Sequence, residues 1–258
     1  MKKVIYIASL CFASHFVSSC DDYLTLESPD QLTSGSFWRN ESDAQAGISA
    51  AYSQLEYYID TWEFAEVKWP VEAYREDIIN MGNDARNYPN WLELYNFTYT
   101  NGNSQFSNYW WNNYKGASFA NQVIEKVTEM EEGTIDPTVR TQIINEGYFL
   151  RAYYPLKLLL NWKEIIIRDK YITSQAELSK GLSPRPDAWD FIIEDLKRAT
   201  ALPSSYDNDN IGRATSGAAN AYLGFAYLTR AYEESDKKTE YLNEALTALN
   251  NVKGYELV

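Results

Sequence analysis

The chemistry open to this chain is bounded first by what it lacks. Its only histidine, His15, and one of its two cysteines, Cys11, fall within the first nineteen residues. Those residues have the layout of a secretory signal: Lys2 and Lys3, an apolar run of 14 residues from Val4 to Val17, then Ser18, Ser19 and Cys20. The run is shorter than the ~20 residues a membrane-spanning helix needs, so residues 1–19 are expected to export the chain and be removed. What remains has no imidazole and one thiol. No Ser-His-Asp or Cys-His nucleophile, no internal disulfide and no His/Cys zinc site can be assembled from it. Carboxylates are left for acid-base work. A glycosidase needs two of them at a set separation across a cleft; 36 acidic residues do not exclude this, but no particular pair is marked.

The other chemical resource is aromatic. Between residues 60 and 103 the chain carries Trp62, Phe64, Trp69, Tyr74, Tyr88, Trp91, Tyr95, Phe97 and Tyr99 among Glu, Asp, Asn and Arg, with no clear periodicity. Connections longer than about 12 to 15 residues are uncommon in compact domains and tend to be functional when ordered, so this stretch needs a reason. Asp207 to Gly212 imitates the start of a calcium loop, but Ile211 replaces a ligand and Ala218 stands where the bidentate glutamate belongs; it reads as a solvated interhelical loop.

Cys20, set directly after small residues, reads as the lipid-modified first residue of a bacterial lipoprotein, the alternative being an ordinary signal with an incidental cysteine. Net charge is −13, and −15 once residues 1–19 are gone, which disfavours nucleic acid and anionic lipid surfaces and makes a neutral ligand the easier partner. With 45% apolar residues and only 12 Gly and 8 Pro, the chain can bury a substantial core.

The elements that must position these residues are helices. Residues 20–40 form a polar tether ending in Phe37 and Trp38, and a single helical domain is expected over 41–258. Ser42 with Gln45 suggests a capping box, and Ala44, Ile48, Ala51, Leu55 and Ile59 predict an amphipathic helix from Ser42 to about Tyr58. Periodicity resumes through Trp110, Tyr114, Ala117, Asn121, Ile124 and Val127. It restarts at Asp136 and Pro137, an N-cap with proline at the first helical position, and runs to about Leu160, with a kink or early end expected at Pro155. Further helices are predicted over Pro186–Leu202, Thr215 to about Tyr232, and from Thr239 to a stop at Gly254. Helix pairs at intervals of tens of residues suggest a tetratricopeptide-like array.

These residues resemble the SusD/RagB family. The resemblance is carried by Phe37-Trp38, Ala51-Tyr52, Trp110 with Tyr114 and Asn121, Glu146 with Phe149 to Tyr154, Phe191 to Leu196, and Gly212 to Thr215 with Ala218-Ala219. Asp21 and Asp22 resemble the acidic surface-export signal of Bacteroidetes lipoproteins. The resemblance implies an all-α fold on tetratricopeptide-like pairs, no enzyme activity, no cofactor, and a lipoprotein on the outer membrane at the cell surface. It implies two partners, an oligosaccharide or polysaccharide and a SusC-like TonB-dependent transporter that the protein caps. Val71–Asp77 and Tyr95–Thr98 are similar in texture to members associated with fructan. The sequence departs from the family at Trp162 to Ile167 and at Pro155. The family is about twice as long, so the resemblance implies a truncated form, a fragment or a shortened gene product.

A sugar offers C–H faces to aromatic rings and a rim of hydroxyls to polar groups. On that chemistry Trp91 is the expected platform, flanked by Asn83, Asp84, Arg86 and Tyr88, with Glu76 and Asp77 as hydroxyl acceptors and Trp111 as a further contact; each ring has the alternative of being core. Trp110 is expected in the core with Tyr114, and Glu146 and Arg151 in structural ion pairs or hydrogen bonds. A helical scaffold in an outer-membrane complex without ligand binding shares the periodicity but leaves the aromatic stretch unexplained.

Overall fold

The computed structural model describes residues 37–55 and 68–255. Residues 1–38 form one unit, of which Phe37 and Trp38 are described, their rings edge to face at 5.0 Å. The signal segment, Cys20 and most of the tether lie outside the described residues, and so does the region 56–67 with Ile59 and Trp62. All that follows concerns the second unit, residues 39–258.

The N-caps set the helix starts. Helix α1 is Glu41–Ser53, and its cap is Asn40, whose side chain accepts from Asp43 N at 3.1 Å. The expected Ser42–Gln45 box is therefore corrected: Asn40 reaches the free N–H groups first, and Asp43 instead accepts from Arg39 N at 3.0 Å. Ala44, Ile48 and Ala51 are buried as their spacing foretold. The aromatic stretch is not all loop. It contains the single turn α2 (Trp69–Glu72), a 3₁₀ turn over Asn83–Asn87, and α3 (Pro89–Tyr95).

Asn103 caps α4 (Ser104–Glu129), accepting from Gln105 N at 3.0 Å. Asp136 caps α5 (Pro137–Leu159), accepting from Thr138 N at 2.8 Å and Val139 N at 3.2 Å. A short turn, α6 (Gln175–Leu178), interrupts a long connection to α7 (Arg185–Ala199). Thr215 caps α8 (Ser216–Glu233), and α9 spans Lys238–Asn250. Asp207 spends its carboxylate on Asn210 N, 3.1 Å away, as a loop cap.

Helix α5 packs against α1, α4 and α7, then α7 against α8 and α8 against α9, which is the stacked array the sequence suggested. Because α5 is enclosed by helices, it is apolar nearly all round from Phe149 to Leu159. Pro155 does not end it. The proline removes one backbone donor inside the helix, a loss of ~3 kcal/mol in isolation, and burial of Tyr154, Leu156, Leu158 and Leu159 around it holds the helix through Leu159. Close approach of α4 to α5 depends on Gly116: a Cβ there would overlap the Tyr154 ring, which is buried and donates its hydroxyl to Ala51 O at 2.6 Å.

One buried polar cluster ties three helices together. Arg151 on α5 donates to Asp195 on α7 through Nε (2.6 Å) and Nη2 (2.8 Å), and its Nη1 reaches Asn121 Oδ1 on α4 at 3.2 Å. The Glu146 carboxylate, fully buried, accepts from Arg213 at 3.0 Å and from Gln142 at 2.9 Å. Both residues take the structural roles expected of them. Replacing Arg151 by Met should lower stability by about 3 to 5 kcal/mol in chemical denaturation, because Asp195 is left charged and buried. Adding Asp195→Leu should restore much of that loss; no recovery in the double variant would refute this account of the pair.

Candidate functional site

The site is built where the connection between α5 and α7 is laid along α4. Arg185, at the start of α7, donates through Nη1 to the carbonyls of Leu159 and Trp162, both at 2.8 Å, and its other nitrogens grip Glu233 of α8 at 2.6 Å. Glu233 also accepts from Trp189 Nε1 at 2.7 Å. This clamp closes the C-terminus of α5 and fixes the turn that presents Trp162. Further along, the Tyr114 hydroxyl both donates to Ile166 O (2.9 Å) and accepts from Ile166 N (2.7 Å). Asn121 donates to Arg168 O at 2.8 Å, and Arg151 to Asp169 O at 2.9 Å. Ser183 N returns to Ile165 O at 2.7 Å, an isolated β-bridge.

Two clefts result, sharing the Trp110 ring. The first, about 620 Å³, is lined by Tyr99, Phe106, Trp110 and Trp162 with Arg75, Asn101, Asn161 and Glu164 among its polar groups. Its rings are locked to one another: Trp162 meets Trp110 at 5.1 Å and Phe106 at 6.3 Å, and Phe106 meets Tyr99 at 5.1 Å. Arg75 is held by Val71 O at 3.0 Å and donates to the Asn161 side chain. The second, about 520 Å³, runs past Trp111, Tyr114, Lys115, Phe119, Arg168, Lys170 and Tyr171. Burial pushes the Tyr114 hydroxyl up to about 12, so it stays protonated and keeps its grip on Ile166.

Rings fixed edge to face, with amides, a guanidinium and a carboxylate at the margin, match what a sugar presents: apolar C–H faces and a hydroxyl rim. The volumes fall in the range of about 300 to 1,000 Å³ usual for small-ligand clefts.

Trp91, the expected platform, lines neither cleft. Trp91 is 8% exposed, with Tyr88 stacked on it at 4.2 Å and 9° and Tyr74 tilted against it at 5.7 Å. It anchors α3 to the body because a large ring gains most by leaving water. Glu76, Asp77, Asn83 and Arg86 are exposed, Tyr88 is half-buried, and none lines either cleft. The Asp84 side chain lies outside the described residues. Trp111, 60% exposed, lines the second cleft. Trp110, expected in the core, instead forms the wall between the two clefts, packed on Tyr114 at 4.9 Å. Sequence reasoning noted Tyr99 in the aromatic stretch and Trp162 and Glu164 in the departure from the family but chose none of them as site residues, and it did not single out Phe106, Arg75 or Asn161. The available signal was the departure at Trp162 to Ile167, read there only as a broken family pattern.

The described residues thus form an all-α stack of helix pairs with an aromatic cleft along the connection between α5 and α7. The model of the SusD-like family, described as starch-binding and associating with the outer membrane, matches residues 22–228, and the chain belongs to that family. A SusD-like protein of Formosa agariphila is 27% identical over 195 residues, covering 74% of this chain and 36% of its own length. The crystal structure of a SusD-like protein from Bacteroides fragilis superposes with a TM-score of 0.70 at 25% identity, over 86% of this chain and 40% of that one. A laminarin-binding SusD-like protein shares the fold with a TM-score of 0.69 at 23% identity, over 83% of this chain and 44% of its own. The chain thus spans about two-fifths of the length of the relatives it matches.

Two outcomes follow from the geometry. Trp91→Ala should cost about 3 to 5 kcal/mol of stability, read by denaturant unfolding, as a core ring does. Glu177 accepts from Lys170 and from the N–H groups of Thr173 (3.1 Å) and Ser174 (3.2 Å), which hold its carboxyl down at about 2. Its folded value lies below the ordinary one, so the clasp around α6 is fully formed above the ordinary glutamate range and is lost as pH falls through about 2. A carboxyl NMR titration of Glu177 with its midpoint near 4.5 would contradict this.

Proposed function

We propose that this chain is part of a surface glycan-binding lipoprotein, anchored through acylated Cys20, that captures oligosaccharide and passes it to a SusC-like TonB-dependent transporter in the outer membrane. The observation that supports it most directly is the first cleft, where Tyr99, Phe106, Trp110 and Trp162 form a continuous aromatic wall beside Arg75, Asn161 and Glu164. A sugar ring laid on that wall removes apolar area from water, while its hydroxyls take up the guanidinium, amide and carboxylate. Glu76 and Asp77, which follow Arg75 in the chain, with Asn83 and Arg86 on the neighbouring 3₁₀ turn, are the outer polar contacts a longer glycan would reach. The laminarin-binding neighbour makes a neutral glucan the first ligand to try, with fructan beside it for the texture of Val71–Asp77 and Tyr95–Thr98.

The test is a titration of the purified protein with laminari-, malto- and fructo-oligosaccharides by calorimetry. Binding of one series is expected with no release of reducing ends. Trp162→Ala should weaken it about tenfold, about 1.4 kcal/mol, with helical content unchanged. Unaltered affinity in that variant would remove the first cleft as the site.

A further inference from the structure

The second cleft has a charge opposite to that of the molecule. In a chain of net charge −13, the charged side chains on its wall are Lys115, Arg168 and Lys170, and among the described residues no Asp or Glu lines it. Three carboxylates stand close by, and each is engaged. Glu177 is taken by Lys170, Asp169 accepts from Lys180 at 3.1 Å, and Glu125 accepts from Tyr171 N at 3.4 Å. Lys170 is therefore neutralised locally, whereas among the described residues Lys115 and Arg168 have no carboxylate partner. Lys115 Nζ sits over the faces of Trp111 (5.1 Å) and Phe119 (5.9 Å). Among the described residues Arg168 donates to the backbone carbonyls of Glu177 (2.8 Å) and Leu178 (2.7 Å), which orient its guanidinium without cancelling its charge.

We propose that this second cleft is a subsite for an acidic sugar, a glycan unit bearing a carboxylate or sulfate, with Lys115 and Arg168 as its anion partners and Trp111 as the platform for the ring. The subsite deepens the glycan-binding reading and rests on it. Trp110 is common to both clefts, so one glycan can cross from the first to the second, placing a neutral unit on Trp162 and an acidic one beside Lys115. The overall negative charge does not prevent this. Exposed charges farther than a Debye length of about 8 Å are screened, while two cations beside a partly enclosed aromatic wall act at short range. A fixed guanidinium suits a planar carboxylate, and a mobile ammonium tolerates sulfate as well.

The experiment compares oligogalacturonate, a sulfated carrageenan oligosaccharide and a neutral laminari-oligosaccharide by calorimetry at low and high sodium chloride. Binding of either acidic glycan, weakened several-fold by salt, is the expected result; the one that binds identifies the substituent. Lys115→Met should reduce that affinity about tenfold, with Lys115→Arg retaining it, while neutral binding through the first cleft stays within about twofold. Circular dichroism confirms that the variants fold. Neutral binding without acidic binding, or acidic binding indifferent to Lys115, overturns the subsite and leaves the glycan-binding reading standing. Binding of none of the three overturns the subsite, and the glycan-binding reading falls with it when malto- and fructo-oligosaccharides also fail to bind.

Discussion

The architecture turns on the Arg151 guanidinium. It sits 8% exposed at the junction of α4, α5 and α7, and four of its donor contacts are spent there: two on Asp195, one on Asn121 and one on the carbonyl of Asp169. A cation that deeply placed is tolerable only when it is fully partnered, so the partners must arrive together. The consequence reaches past stability. Asp169 belongs to the connection that walls both clefts, so the packing of three helices and the position of the site share one hydrogen-bond network.

A second network performs the same service about a turn and a half earlier on α5. Glu146, buried, draws in Arg213, which also donates to Gln45 on α1. The Tyr52 hydroxyl on α1 accepts from Ala214 N at 2.9 Å, and burial together with the nearby Glu146 charge raises its ionisation far above the ordinary tyrosine range. Helix α1 is thereby joined to the N-terminus of α8 across the body of α5. The Arg185–Glu233–Trp189 clamp completes the frame on the side where Trp162 emerges. These polar links are specific where apolar packing alone is permissive, and they fix which way the long connection runs.

Electrostatics divide the surface from the site. The acidic excess is spread over solvated helix faces, where ion pairs such as Arg198–Glu194 (3.3 Å) contribute little. Along the 165–182 connection the carboxylates are spent on neighbouring donors, so net charge describes the molecule at a distance but not the groove.

Much of the fold was legible in the residues. Asp136 caps α5 because a short polar side chain before an apolar-periodic run can do little else so cheaply, and Ala44, Ile48 and Ala51 bury because their spacing leaves them on one face. The confinement of the one histidine and of Cys11 to the first nineteen residues likewise narrowed the chemistry to be expected of the rest. What only the tertiary structure decided was which aromatics meet solvent. Tyr109, Trp110 and Trp111 follow one another on α4, about 100° apart around the helix, and they end respectively buried, shared between two clefts, and 60% exposed. Trp91, in the stretch richest in sugar-like chemistry, is covered by Tyr88, whereas Trp162, in a segment that broke the family pattern, is held in the cleft by contacts to Phe106 and Trp110. An aromatic ring gains from burial and from ligand contact by the same physics, so its identity does not say which it will have; the neighbours brought up by long-range packing do.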